Sequence, residues 1–347
     1  MRVTVLCPHL RIAGGVRAIL TYADRLARRG HTVTVVVPGR RTWWGGVREG
    51  ARPEWVGDFR PEIRWVGRWN AGALPPADVL VATAWQSAPV VADAPARAGH
   101  KVYLVQHYES LYHGRADAVD ATYRLPLTKI VISTWLRDVM RERFGSDAEV
   151  LVTPVDAALF HPVEVPPNAG PPRVLMLQHD YAWKGVADGM DAVARVRASG
   201  RTLTLVGFGV KPPAGAGIYD EFHANLPQGD LARLYSRADV YLCPSWDEGL
   251  GMPSMEAMAC GTALVTYDNG GSRDYARDGE TALVAPRRDV AALATALGRV
   301  LDDAALRHRL ADAGAAFVRT AFDWDRAVAR LEALFAGLSA PAGPRPR

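Results

Sequence analysis

Residues 31–37, His-Thr-Val-Thr-Val-Val-Val, are nearly continuous in β-branched side chains. Such a run fits a strand covered on both faces, as parallel strands are. What precedes it narrows the choice further. Residues 2–7 alternate apolar and polar and read as a first strand, and Val16, Ile19, Leu20, Ala23, Leu26 and Ala27 then recur on one helical face. Arg28, Arg29 and Gly30 close that helix with cations and a glycine stop. Strand, glycine loop, helix and strand in that order make a right-handed βαβ unit, the opening of a doubly wound sheet.

The pattern continues with strands at 79–83, 101–105, 129–133 and 149–153, and Ser133 is placed to cap a helix over Thr134–Phe144. Residues 161–172, His-Pro-Val-Glu-Val-Pro-Pro-Asn-Ala-Gly-Pro-Pro, read as an interdomain linker. Beyond it the alternation restarts. A strand at Arg173–Leu177 leads through a loop to Lys184-Gly185, which opens a helix to about Ser199. A strand at 203–206 runs into a Gly207-Phe208-Gly209 loop. Strands at Glu221–Ala224, Val240–Cys243 and Ala263–Tyr267 follow, with helices at 230–238, 289–302, 304–320 and 324–338. The expectation is an α/β chain of two doubly wound Rossmann-like domains, 1–162 and 163–322, facing each other across a cleft. A tail helix within 323–340 is expected to pack back on the first domain.

Composition removes several function classes. A hydrophobic fraction of 49% with 22% charged residues is that of a globular chain with ample core. No run approaches the roughly 18 apolar residues that span a bilayer, and the first residues are too short in their apolar part for a signal peptide. Cys7, Cys243 and Cys260 lie in apolar contexts without CxxC spacing, so neither disulfides nor zinc are implied and a cytosolic compartment is expected. The first 165 residues carry 21 Lys+Arg against 16 Asp+Glu, or +5, and the remainder 20 against 21, or −1, which makes the net charge of +4. That mild excess suits an anionic substrate or a membrane surface better than nucleic acid.

Chemistry concentrates in residues 245–261, Ser-Trp-Asp-Glu-Gly-Leu-Gly-Met-Pro-Ser-Met-Glu-Ala-Met-Ala-Cys-Gly. This is a glycine-rich loop entering a short helix, with Pro253 at its start and Gly261 as its stop. Glu248 and Glu256 stand in an otherwise apolar run, where a carboxylate is costly unless something meets it. A ligand carrying hydroxyls and an anion, such as a nucleotide sugar, would meet both carboxylates and the free amides of the helix start. A capped helix with Glu256 complementing its own dipole explains the spacing equally well. Gly14-Gly15 lies after the first strand without the dinucleotide fingerprint, and serves either as a tight turn or for close approach to a phosphate or sugar. His107, after the strand 101–105 and beside Tyr108 and Glu109, is either a hydrogen-bonded core residue or a site group. Residues 40–72 interleave Arg40, Arg41, Trp43, Trp44, Arg48, Trp55, Arg60, Arg64, Trp65, Arg68 and Trp69. They read as an irregular surface segment over buried tryptophans, or as a lip for a sugar or lipid headgroup.

The Glu248-x7-Glu256 segment closely resembles the E-x7-E signature of family 4 (group 1) glycosyltransferases. Gly14-Gly15, the second strand, "VDAALFHP", Lys184-Gly185 and "LARLYSRADVYLCPS" extend that resemblance over almost the whole chain. Gln106-His107-Tyr108-Glu109 and Ser133-Thr134-Trp135-Leu136 also look like a bacterial subgroup that includes rhamnosyltransferases. The resemblance implies a GT-B fold and metal-independent transfer of a hexosyl or deoxyhexosyl group from a nucleotide-diphosphate sugar, with retention of configuration. The acceptor would be a glycan, a lipid-linked sugar or a small molecule, and peripheral association with a membrane face is admitted. By the family pattern Lys184 would neutralise the diphosphate and Glu256 would accept the ribose hydroxyls. Glu248 would touch the donor sugar, with the Gly249 and Leu250 amides orienting it and Gly14, Gly15 and Gly207 lining the donor site. His107 would contact the sugar's primary alcohol or steady the transition state.

Departures from the pattern are specific. Many members carry an arginine where this chain has Gln178 or His179; the Pro-Asn-Gly turn is replaced by Val152-Thr153-Pro154; and Asp274 stands where glutamate is frequent. The missing arginine is the one feature that favours a non-catalytic nucleotide-sugar-binding protein. Another GT-B enzyme, such as an epimerase, would lack the paired glutamates at this spacing.

Overall fold

The computed structural model describes residues 1–11, 13–41, 47–48, 58–112, 115–166, 168–213 and 217–339. The chain divides into two compact units, Met1–Thr153 with Asp325–Arg347, and Pro154–Trp324. The division at 153/154 falls ahead of the proline-dense interval, and helix Trp324–Ser339 belongs almost wholly to the first unit.

In the first unit the strands are β1 (Arg2–Leu6), β2 (Thr32–Pro38), β3 (Arg40–Arg41), β4 (Val47–Arg48), β5 (Glu62–Val66), β6 (Val79–Ala82), β7 (His100–Val105), β8 (Thr128–Val131) and β9 (Ala148–Val150). Seven of them form one parallel sheet in the order β5-β2-β1-β6-β7-β8-β9, and β3 pairs with β4 as a separate antiparallel ribbon. Helices α1 (Gly14–Arg28), α2 (Ala88–Ala92), α3 (Ala116–Tyr123) and α4 (Thr134–Phe144) connect them. Ser133 Oγ accepts the Leu136 amide at 3.2 Å, so the expected cap is present. Two readings are corrected here. Residues 62–66, read as irregular, are edge strand β5, half exposed and paired with β2. Gly14 and Gly15, read as loop, are the first two residues of α1. The indoles of Trp43, Trp44 and Trp55, on which the lip reading leaned, lie outside the described residues.

The second unit repeats the plan with β10 (Arg173–Leu177), β11 (Thr204–Gly209), β12 (Glu221–Ala224), β13 (Val240–Cys243), β14 (Ala263–Tyr267) and β15 (Leu283–Ala285). All pair in parallel in the order β12-β11-β10-β13-β14-β15. Its helices are α5 (Val186–Ala198), α6 (Gln228–Ser236), α7 (Met252–Ala259), α8 (Val290–Asp302) and α9 (Ala304–Ala321), and α10 (Trp324–Ser339) ends the chain. A core of Val174, Met176, Leu205, Leu242, Val265 and Leu297 fills the space between sheet and helices. Strand order reverses between β10 and β13, and a doubly wound sheet binds its ligands beyond the carboxyl ends at such a point.

Gly207, expected in a loop, lies inside β11. A Cβ there would stand 2.7 Å from ring atoms of Tyr219 and Phe222, so the missing side chain makes room for packing within the unit. Gly207→Ala is expected to cost about 1–3 kcal/mol by overpacking, seen as a lower urea midpoint with unchanged nucleotide affinity.

Candidate functional site

Two loops meet at the strand-order reversal of the second unit. The first leaves β10 and runs through a single 3₁₀ turn, Ala182–Lys184, into α5. The second leaves β13 and enters α7. They are joined through backbone: the Trp246 amide donates to the Trp183 carbonyl at 2.8 Å. Gly185 adopts φ +65, and a Cβ on it would lie 1.9 Å from the Pro244 carbonyl oxygen. Trp246 is held from below, its indole donating to Asp188 at 2.9 Å, and the Tyr267 hydroxyl donates to the same carboxylate at 3.2 Å. Arg287 clamps Asp247 with contacts of 2.6 and 3.1 Å, and Arg288 lies 4.0 Å over the Trp246 ring. Sequence reading passed over Asp188, Asp247, Arg287 and Arg288. No sequence signal could have found the set, because Asp188 lies 58 positions and Arg287 41 positions from Trp246 and only the fold gathers them.

This framework brings Lys184 and Glu248 together across 64 positions, Nζ donating to Oε1 at 2.7 Å with both side chains mostly buried. Burial disfavours the ammonium, but the adjoining carboxylate more than offsets it, and the Lys184 pKa is raised. Glu248 is anchored by its own backbone, its amide donating to the Asn269 carbonyl and its carbonyl accepting from Gly271. Gly271 passes so close to Leu250 that a Cβ would stand 2.5 Å from the Leu250 Cα. Among the described residues the Gly249 and Leu250 amides enter no hydrogen bond, and they precede the α7 start, where Gly251 is the cap residue at φ +97 with no side-chain cap. Amides and helix dipole thus present a local positive end beside the ion pair. Glu256 lies further along α7, 5% exposed, with the Tyr235 hydroxyl donating to it at 3.4 Å.

His179, at a position where an arginine was the expectation, brings no charge. Burial and then the Lys184 ammonium lower its pKa, and its Nδ1 accepts the Tyr181 amide at 3.1 Å. The imidazole packs tilted against Tyr181 at 4.4 Å, and Tyr181 stacks on Trp183 at 4.2 Å, so three rings line the approach to Lys184.

Gly14, Gly15 and His107 belong to the first unit. A Cβ on Gly15 would meet the Gln106 side chain at 3.1 Å. His107 follows β7, the fifth strand of its sheet in chain order. The His107 ring meets Tyr112 edge to face at 4.9 Å and Trp135 at 6.5 Å, and its carbonyl accepts from Tyr123. Two residues on, burial pushes the Glu109 carboxyl up to about 7, against the Trp85 amide that donates to it. Glu109 therefore binds its proton more tightly folded than unfolded, so stability falls as pH rises from about 4.5 to 7 and is flat above. Glu109→Gln is expected to remove that slope, gaining on the order of 2 kcal/mol over the parent at pH 8 and nothing at pH 4. Paired urea titrations at the two pH values read it out.

The fold and site define a class. Over 97% of its length the chain superposes on all of Anabaena Alr3699/HepE in complex with UDP-glucose, with a TM-score of 0.76 at 16% identity. The fold is GT-B. Within it, residues 160–317 match the family model described as glycosyl transferases group 1, a segment that holds Lys184, Glu248 and Glu256. Glycogen synthase of Mycobacterium tuberculosis is 32% identical over 235 residues, 63% of this chain and 56% of that one. The chain thus spans about half the length of that relative. Phosphatidyl-myo-inositol mannosyltransferase of the same organism is 27% identical over 368 residues, 93% of each chain. Among the described residues no group of three His, Cys, Asp or Glu could hold a metal ion, and no helix is long and apolar enough to cross a membrane.

Proposed function

We propose that this chain is a glycosyltransferase that moves a hexosyl or deoxyhexosyl group from a nucleotide-diphosphate sugar to a glycan, lipid-linked or small-molecule acceptor. Transfer retains anomeric configuration and needs no metal. The observation that carries this reading is the Lys184–Glu248 pair at the carboxyl edge of β10 and β13, beside the start of α7. An ammonium held charged next to a helix N-terminus opposes the charge that grows on a departing diphosphate. Glu248 keeps that ammonium in place and offers its second oxygen to the sugar, with the Gly249 and Leu250 amides setting the sugar's orientation. Glu256 accepts the ribose hydroxyls. The group 1 match, the names of the two relatives and the UDP-glucose held by the structural neighbour support the donor class. The protein works in the cytosol on glycan synthesis, with the basic first unit able to meet an anionic membrane face.

Release of nucleoside diphosphate from UDP-, ADP-, GDP- and dTDP-linked sugars tests the reading, run with and without EDTA. Turnover of at least one donor, undiminished by EDTA, is expected. Tight binding of a nucleoside diphosphate with no donor consumed would make the chain a binding protein instead.

A further inference from the structure

Every polar group of Trp246 is committed to a different segment of the second unit. Its amide donates to the Trp183 carbonyl in the β10 loop at 2.8 Å. Its carbonyl accepts from Arg287 Nε, in the loop between β15 and α8, at 2.9 Å. Its indole donates to Asp188 Oδ2, in the first turn of α5, at 2.9 Å. The ring packs against the core of the unit beneath the Arg288 guanidinium. Of these partners Asp188 is the one whose placement local structure does not explain. A carboxylate in a first helical turn ordinarily serves the amides and dipole of its own helix. Asp188 is turned elsewhere. Among the described residues its hydrogen bonds run to Trp246 and to the Tyr267 hydroxyl, both on Oδ2, and no cation pairs with it. Burial, and then Asp188 itself, raise the Tyr267 pKa, so the phenol keeps the proton that it donates. Asp191, three residues further along α5, shows the ordinary surface alternative, an exposed pair with Arg195 at 3.1 Å.

We propose that Asp188 is a positioning residue for the Lys184–Glu248 pair, acting through the Trp246 indole. The chain of contact is short. Asp188 lies four residues past Lys184, and Trp246 two residues ahead of Glu248. Their hydrogen bond is a second tie between the segments that carry the pair, beside the backbone bond at Trp183. An indole held at its nitrogen and through its backbone cannot swing, so the peptide leading to Glu248 keeps one path and its carboxylate meets the ammonium at 2.7 Å. Without Asp188 the half-buried indole N–H loses its acceptor and the ring must move to find water. Moving a catalytic group by about 1 Å costs as much as about 100-fold in rate. Attraction between an ammonium and a diphosphate falls off only gradually with distance. Loss of Asp188 is therefore read in turnover far more than in nucleotide binding. The inference rests on the glycosyltransferase reading for the word turnover, while the ties themselves belong to second-unit geometry alone.

The test compares Asp188→Ala, Asp188→Asn, Trp246→Phe and Asp191→Ala in the full chain, with activity normalised to folded protein. Asp188→Ala is expected to lower kcat for donor consumption about 10-fold or more. The Kd of the tightest binder among UDP, ADP, GDP and dTDP should change by less than about threefold. Because both donors fall on one oxygen, the asparagine carbonyl still accepts them, and Asp188→Asn should hold kcat within about threefold of the parent. Trp246→Phe loses the indole N–H but keeps a ring under Arg288, and should fall as far as Asp188→Ala. The two combined should fall no further, since both remove the same bond. Asp191→Ala should match the parent. A second readout needs no donor. In ¹⁵N spectra the Lys184 ammonium, assigned by its loss in Lys184→Ala, should be resolved in the parent and in Asp188→Asn. It should broaden through exchange with water in Asp188→Ala. Parent kcat in Asp188→Ala, equal impairment of Asp188→Asn, losses that add in the double variant, or an ammonium signal indifferent to Asp188 would each overturn the proposal. A parent that consumes no donor, with an ammonium signal that answers to Asp188 as described, refutes the transferase reading alone. Active transfer with kcat unmoved by Asp188→Ala refutes this one alone.

Discussion

Lys184→Ala is expected to lower kcat/KM for donor consumption by roughly 100- to 1,000-fold, the usual cost of losing one preorganised group that faces developing charge. Nucleoside diphosphate affinity should fall as well, because the ammonium meets the diphosphate before and after bond cleavage. The substitution has a second consequence. It strands the Glu248 carboxylate, which is 8% exposed, without its partner at 2.7 Å, and an uncompensated buried charge destabilises. Activity must therefore be normalised to folded protein. The double variant Lys184→Ala/Glu248→Gln removes the stranded charge and should recover stability without recovering turnover. If the double variant regains activity, Lys184 serves only to neutralise Glu248 and the leaving-group role is wrong. In the parent, burial and then Lys184 lower the His179 pKa; Lys184→Ala takes away the second of these causes and leaves burial.

Much of this arrangement was legible before any coordinates. Arg173–Leu177, Val240–Cys243 and Ala263–Tyr267 were each read with the bounds they have, because buried parallel strands are short, largely apolar runs between turn residues; Glu221–Ala224 was also read with its bounds, although none of its residues is buried. Ser133 was legible as a cap because a hydroxyl before a helical pattern has one obvious use. β5 was not, since Glu-Ile-Arg-Trp-Val sits at a sheet edge, and its charged, half-exposed face looks like loop until β2 is known to lie beside it. Gly207 was misplaced for a related reason: a glycine after a strand signals a turn, whereas here the room it leaves is taken by Tyr219 and Phe222. For the site, the carboxylate spacing and the lysine were visible as separate residues. Their direct contact was not, because it depends on backbone meeting backbone at Trp183–Trp246 and Gly185–Pro244. Glu109 was seen only as a neighbour of His107, and nothing in its spacing showed that its carboxyl is half-buried against the Trp85 amide.

Gly185→Ala is expected to be the most damaging single-methyl change in the second unit. Two costs combine. A left-handed φ of +65 costs a non-glycine residue about 1–2 kcal/mol. The added Cβ would also stand 1.9 Å from the Pro244 oxygen, a backbone atom that cannot rotate away. Gly200 separates the two, since it has φ +88 with nothing within 4 Å of its would-be Cβ. Gly200→Ala should therefore cost only the conformational part, about 1–2 kcal/mol, and leave turnover near the parent value. Gly185→Ala should cost about 3–5 kcal/mol. In the molecules that still fold, the β10 and β13 loops must separate, drawing Lys184 off Glu248 and lowering kcat/KM by at least 100-fold, since a displacement of about 1 Å is enough for that loss. Urea unfolding and donor consumption measured on the same two variants decide it. Equal destabilisation by both substitutions would show that the Gly185–Pro244 contact yields freely, and that the ion pair is positioned by something other than the junction of these two loops.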